Sequence, residues 1–248
     1  MNGHPLLEAR GVTVRFGGLV AVDQVSAAFA PGELVGIIGP NGAGKTTFFN
    51  ALSGVIEPTS GELFAAGARL TGAKPHRFAQ QGIARTFQTP RVFAELSVAA
   101  NIDFGLQFAG RQRSGSWLLK DEASVLNLIG LAAQAALPAA AITPSQQRLL
   151  EIGMALATRP KLLLLDEVAA GLTESEIESM AQLIRRLRDD LDLTVIWIEH
   201  AVTTLLRHVE RVLVLHQGRK IADGTPAEVV RNAEVVEAYL GDEMVELA

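Results

Sequence analysis

Two stretches near the N-terminus, LLEARGVTVRF at 6–16 and LVAVDQVSAAF at 19–29, alternate apolar and polar positions on either side of Gly17-Gly18. A period of two flanking a glycine pair predicts an antiparallel hairpin with one half-exposed face. The pattern then changes. After Glu33 comes LVGIIG, a continuous apolar run of the kind a strand buried on both faces carries, followed by a Gly-rich loop and a helical segment from Lys45 to Ser53. TSGELFAAGARL, 59–70, returns to strand and turn. From about 74 to 158 the spacing is mostly helical, with breaks at Pro90 and across 111–116, and this predicts an inserted helical lobe. Inside it Pro138 divides a long uncharged window into a helix over about 121–136 and a connector. In Ile142-Thr143-Pro144-Ser145-Gln146-Gln147, Thr143 suits an N-cap, Pro144 the first helical position and Gln146 the far side of a capping box, so a helix to about Thr158 is expected. KLLLLD (161–166) and TVIWIEH (194–200) read as two further buried strands. Glu174 to Leu191 has helical spacing, and RVLVLHQGRKIADG (211–224) reads as a terminal hairpin around Gly218.

Buried apolar strands alternating with helical segments predict an α/β fold with a mixed, mostly parallel sheet. The N-terminal antiparallel strands form a separate β subdomain in this reading. The expected organisation is one domain over 6–241, with 1–73 and 159–241 as core, 74–158 as helical lobe and 242–248 as a tail. No run is apolar enough to predict a membrane-spanning helix, and the N-terminus lacks the pattern of a secretory signal. With 22 basic and 27 acidic side chains the net charge is −5, which argues against a nucleic-acid partner and requires any anionic ligand to meet a local site. There is no cysteine, so disulfides and thiolate metal sites are excluded.

One such local site is visible. Gly39, Pro40, Asn41, Gly42, Ala43, Gly44, Lys45 and Thr46, followed by Thr47, satisfy GxxxxGK[ST] between a buried strand and a helix. Glycines let successive backbone N–H groups turn inward, and the helix N-terminus adds positive dipole. Lys45 is then expected to reach the β and γ phosphates of a nucleotide, and Thr46 to offer its hydroxyl to Mg²⁺. Asp166 closes the run Leu162–Leu165, so its carboxylate is expected at the C-terminal edge of the sheet as a metal ligand, with Glu167 beside it to orient or deprotonate an attacking water. His200 follows the third buried strand and is expected on the same edge, in hydrogen-bond reach of the γ-phosphate. His4, His76, His208 and His216 converge with nothing and are read as surface residues.

RFGGLVAVDQVS, GIIGPNGAGKTT, GIARTFQ, LLEIGMALATRPKLLLLDE, AAGLT and WIEHAV occur in the order found in the ATP-binding subunit of ABC transporters, and the chain resembles that family from about residue 6 to 241. FGGLVAV, TSGEL, GTPAEV and EAYLG are most similar to branched-chain amino-acid importer ATPases; importers of urea, amides or aromatic acids share this style. The resemblance implies a P-loop NTPase fold of the ABC type that uses ATP and Mg²⁺. It further implies that Phe16 stacks on adenine and that Gln88 contacts Mg²⁺ and senses the γ-phosphate. It implies that the segment Thr89 to Asn101 receives a cytoplasmic helix of a membrane permease, and that Thr143 and Ser145 face the ATP of an opposite subunit. The expected role is an energy subunit on the cytoplasmic face of the cell membrane, working with permease subunits, a second ABC ATPase and, indirectly, a solute-binding protein.

Three positions depart from the family pattern. Ser145 stands where glycine is usual, Val168 where proline is usual, and Thr173 where Asn or Asp is usual. A side chain at 145 limits close backbone approach, and losing one hydrogen-bond donor to the reacting phosphate is expected to slow hydrolysis by about 10²–10³-fold. The loss would fall on the partner's ATP, which a heterodimer tolerates better than a homodimer. The alternative expectation is a nucleotide-gated subunit with weak hydrolysis of its own.

Overall fold

The computed structural model describes residues 4–108, 118–199 and 201–239. The expected break at 111–116, His200 and the tail 242–248 lie outside the described residues. Strands β1 (Leu7–Phe16) and β2 (Leu19–Phe29) form the expected hairpin, and β4 (Ser60–Ala65) and β5 (Ala68–Arg69) extend it into an antiparallel sheet in the order β2-β1-β4-β5. The second sheet contains β3 (Leu34–Ile38), β6 (Ile83–Arg85), β7 (Leu162–Asp166), β8 (Thr194–Ile198), β9 (Arg211–His216) and β10 (Arg219–Gly224). Its order is β10-β9-β3-β8-β7-β6, parallel throughout except for the β9–β10 hairpin.

The parallel strands are buried on both faces, and their period of two divides their side chains between two cores. Leu163, Leu165, Val195, Trp197, Val212 and Val214 enter one, with the helical lobe. Leu162, Leu164, Ile196, Ile198, Leu213 and Leu215 enter the other, beneath the antiparallel sheet. Burying a leucine contributes about 1.5–3 kcal/mol, so the four of β7 together offset the roughly 1–2 kcal/mol per residue that ordering the backbone costs. That is why so short a strand holds its position.

Helix α1 (Lys45–Leu52) leaves the loop after β3, and α2 (Pro75–Gln80) packs Phe78 into the core beneath the antiparallel sheet. The lobe consists of α3 (Val98–Gln107), α4 (Glu122–Leu128) and α5 (Pro144–Ala157). In α5, Thr143 accepts from the Gln146 N–H at 3.2 Å and the Gln146 side chain accepts from the Thr143 N–H at 3.0 Å, which completes the expected capping box. Helix α6 (Glu174–Leu191) opens on the same device at Thr173 and Glu176 and buries Met180, Leu183, Ile184 and Leu187 along one face. Helices α7 (Val202–His208), α8 (Pro226–Val229) and α9 (Ala233–Tyr239) complete the described chain.

Three expectations need correction. The segment 74–158, expected to be mostly helical, also holds a strand that the expectation omits: β6 pairs with Leu162–Leu164 of β7 as an edge strand of the core sheet. The helix expected over 121–136 ends at Leu128, because Gly130 at φ +73° turns the chain away before a short 3-10 turn at Ala132–Gln134. His208 is not a surface residue; it is buried, with Nε2 3.1 Å from the Glu178 carboxylate, where α7 packs on α6.

Candidate active site

The loop between β3 and α1 supplies the floor of a cleft of about 640 Å³ lined by Phe16, residues 41–47, Glu167 and Gly218, among others. Gly44 adopts φ +96°, and a Cβ there would lie 2.3 Å from the Ala21 carbonyl oxygen, so the close approach of loop and hairpin requires glycine. Gly42, at φ +78°, faces open space within the cleft. The Lys45 ammonium donates to the carbonyl oxygens of Gly39 at 2.6 Å and Pro40 at 3.1 Å, which holds the loop curled. Lys45 is 5% exposed; desolvation lowers its pKa, and the negative charge of Glu167 opposes that shift. Phe16 is 50% exposed on the wall of this cleft rather than turned into a core.

Asp166 and Glu167 leave β7 at its C-terminal end, as their place after the leucines predicts. The Asp166 carboxylate pairs with the Arg85 guanidinium at 3.1 Å. Arg85 also donates to Asn50 and Ser53, each at 2.8 Å, and thereby ties the end of β6 to α1. Glu167 has φ +50°, a conformation that costs a non-glycine residue about 1–3 kcal/mol. Its N–H donates to the Ile198 oxygen at 3.0 Å, and its oxygen accepts from Arg148 at 2.9 Å, so helix α5 and strand β8 hold the strained turn from both sides. The Gln88 side-chain amide donates to the Glu167 carboxylate at 2.6 Å. Lys45, Thr46, Gln88, Asp166 and Glu167 therefore converge on one sheet edge, while His200 lies outside the described residues.

The reading of the sequence gave no role to Arg85, Arg148, Glu151 or Glu199. The buried Glu199 accepts from the Ala169 N–H at 2.7 Å and the Trp197 indole at 3.1 Å, fixing the turn after Glu167. Glu151 sits within the apolar run LLEIGMALA, and a lone charge in such a run is the signal that exposes it. Its burial pushes the carboxyl up to about 7, against the pull of the N–H groups of Arg91 and Phe87. Between pH about 4.5 and about 7 the folded chain keeps a proton that the unfolded chain has released, so this group's stabilisation is full below that window and lost as pH rises through it. Relative to Glu151→Gln, urea unfolding should lose about 3 kcal/mol between pH 4.5 and 7.5; a constant difference would refute the shift.

Ser145 and Thr173, two of the three unusual positions, meet in one cluster. The Ser145 hydroxyl lies 3.1 Å from that of Thr143, and Glu176, which lines the same surface hollow as Ser145, accepts from the N–H and hydroxyl of Thr173 at 2.9 and 2.8 Å. The start of α5 thus lies beside the start of α6 within one chain.

Comparison with known proteins bears on this geometry. A family model described as "ABC transporter" matches residues 22–170, and one described as "Branched-chain amino acid ATP-binding cassette transporter" matches 219–245. The chain is 38% identical to the high-affinity branched-chain amino acid transport ATP-binding protein BraF of Pseudomonas aeruginosa, covering 96% of this chain and 98% of that one. It is equally identical, with the same coverage, to LivG of Escherichia coli K12, which carries the same description. Among solved structures, an ATP-binding cassette of an ABC transporter in its ADP conformation superposes with a TM-score of 0.83 at 28% identity, covering 96% of this chain and 99% of that one. The phosphate loop, the acidic strand end and relatives matched along nearly their whole length lead to one conclusion: the chain belongs to the ABC transporter family, as one of its ATP-binding, transport-coupled ATPases.

Proposed function

We propose that this chain is the ATP-hydrolysing subunit of an importer for branched-chain amino acids or a chemically related small polar solute. The observation that carries the reading is that Lys45 and Glu167 line one cleft floored by the loop. ATP lies along residues 39–47 with its adenine on the exposed ring of Phe16, a stack of about 1–3 kcal/mol. Backbone N–H groups and Lys45 bind the β and γ phosphates. Glu167 accepts a proton from water as its oxygen attacks the γ-phosphorus; the bond to the bridging oxygen breaks, and ADP and phosphate leave.

The donors fit Mg²⁺: the Thr46 hydroxyl, Asp166 carboxylate and Gln88 amide oxygen are all hard oxygen ligands. Among the described residues no cluster of three or more His, Cys, Asp or Glu forms a metal site unaided, which suits an ion completed by nucleotide phosphates. When bound, the ion neutralises charge on the β and γ oxygens. The Arg85 guanidinium, 3.1 Å from the Asp166 carboxylate, partly neutralises it. His200 remains the expected partner of the γ-phosphate.

Among the described residues no helix is long and apolar enough to cross a membrane; in this reading permease subunits supply the path for solute. The exposed rings of Phe93, Phe104 and Phe108, with centroids 4.6 and 5.0 Å apart in sequence, support docking of a permease helix beside the segment 89–101. The chain works at the inner face of the membrane with a second ATPase, in a heterodimer by preference, and through the permease with a solute-binding protein. Isolation from native membranes should recover permease and a second ATPase together; recovery as a cytosolic monomer under Mg·ATP would overturn the reading.

The Ser145 cluster carries its own expectation. Replacing Ser145 by glycine removes the hydroxymethyl group beside Thr143 and restores close backbone approach, so turnover of the assembled transporter should rise, by as much as about 10²-fold if one phosphate donor is regained. A clear fall at saturating Mg·ATP would contradict the steric argument.

A further inference from the structure

We propose that Glu151 is the positioning residue that fastens the Gln88 loop to helix α5, so that the amide of Gln88 reaches Glu167 only as the helical lobe dictates. The inference rests on the roles of Gln88 and Glu167 in the proposed function. Glu151 lies in the middle of α5 and is 6% exposed. Both of its carboxylate oxygens accept from the Phe87 N–H at 3.3 Å, and one accepts from the Arg91 N–H at 3.0 Å. One side chain thereby grips the loop on both sides of Gln88. From one turn earlier on the same helix, Arg148 donates to the Gln88 carbonyl oxygen at 3.4 Å and to that of Glu167 at 2.9 Å.

The ring of Phe87 stacks with the guanidinium groups of both Arg85, 4.5 Å away, and Arg91, 4.0 Å away, and Arg85 continues to Asp166. Residues 85–91 thus connect α5 to both acids of the site through contacts that are individually short. A buried carboxyl in an otherwise apolar helix face is costly unless its hydrogen bonds are made, and here loop N–H groups make them. The arrangement has a mechanical consequence. Rotating α5 carries the anchored backbone of residues 87–91 with it, and the side chain of Gln88 moves relative to Glu167, which follows the end of β7 and is tied by its N–H to Ile198 of β8 against the single Arg148 bond from α5.

Glu151→Leu removes the anchor, and Glu151→Gln keeps one carbonyl oxygen as acceptor. In the assembled transporter Glu151→Leu should lower kcat by roughly ten- to hundredfold, as loss of geometry at a reacting centre does, with the Kd for Mg·ATP changed less than about threefold. Glu151→Gln should recover most of the loss. Combined with Gln88→Ala, Glu151→Leu should add little further loss, because both act through the same amide. Hydrogen exchange at the Phe87 and Arg91 amides of the chain should quicken at least about tenfold in Glu151→Leu while the β7 amides stay protected. Independent, multiplying losses in the double variant, unchanged kcat in Glu151→Leu, or unchanged exchange at both amides would overturn the proposal. Absence of Mg·ATP turnover in the unmodified assembly would instead sink the function on which it rests.

Discussion

Replacing Glu167 by glutamine should reduce steady-state ATP turnover by about 10²–10⁴-fold while ATP still binds. The amide fills the same volume and cannot take a proton from water. Glu167 is held by its N–H bond to Ile198 and the Arg148 bond to its oxygen, both made by its backbone, so the substitution leaves the strained turn intact. Loss of the carboxylate changes the contact with Gln88, whose amide donates to it at 2.6 Å. The measurement is phosphate release from the assembled transporter, with the substitution confined to this subunit, beside equilibrium nucleotide binding. Unchanged turnover would mean that this carboxylate takes no part in hydrolysis and that the other site carries the work.

Lys45→Ala should weaken nucleotide binding by about 30- to 5,000-fold, the range expected when one partner of a buried charge pair is removed at about 2–5 kcal/mol. Two effects combine. The ammonium that would meet the phosphates is gone, and the carbonyl oxygens of Gly39 and Pro40 lose the donor that holds the loop curled. Titration calorimetry with Mg·ATP checks the first, and thermal unfolding without nucleotide separates the second. Tight binding retained by the variant would show that backbone N–H groups suffice.

The phosphate loop and the strand ending in Asp166 and Glu167 are legible in the sequence because each is a local pattern with a local cause. The capping box at Thr143 and Gln146 is of the same kind. Strand β6 is not, since Ile83–Arg85 is too short to show a period and becomes a strand by pairing with Leu162–Leu164. The Arg85–Asp166 pair spans 81 residues of sequence, and no spacing rule predicts it. The clamp of Glu151 on Phe87 and Arg91 is half legible: the sequence shows a carboxyl where an apolar residue belongs, but only the fold brings the loop to it. The Ser145 cluster likewise turns two apparent departures into neighbours, a relation that their separation along the chain conceals.

The division of β7 between two cores also protects the chemistry. Sliding that strand by a single position would replace leucine by leucine at the middle of each core, but would carry Lys161 or Asp166 into a site that a buried leucine fills, and would shift Asp166 about 3.3 Å along the sheet. The charged residues that bound the leucines therefore serve as a ruler, and an error in the placing of Asp166 is penalised inside the cores rather than at the cleft.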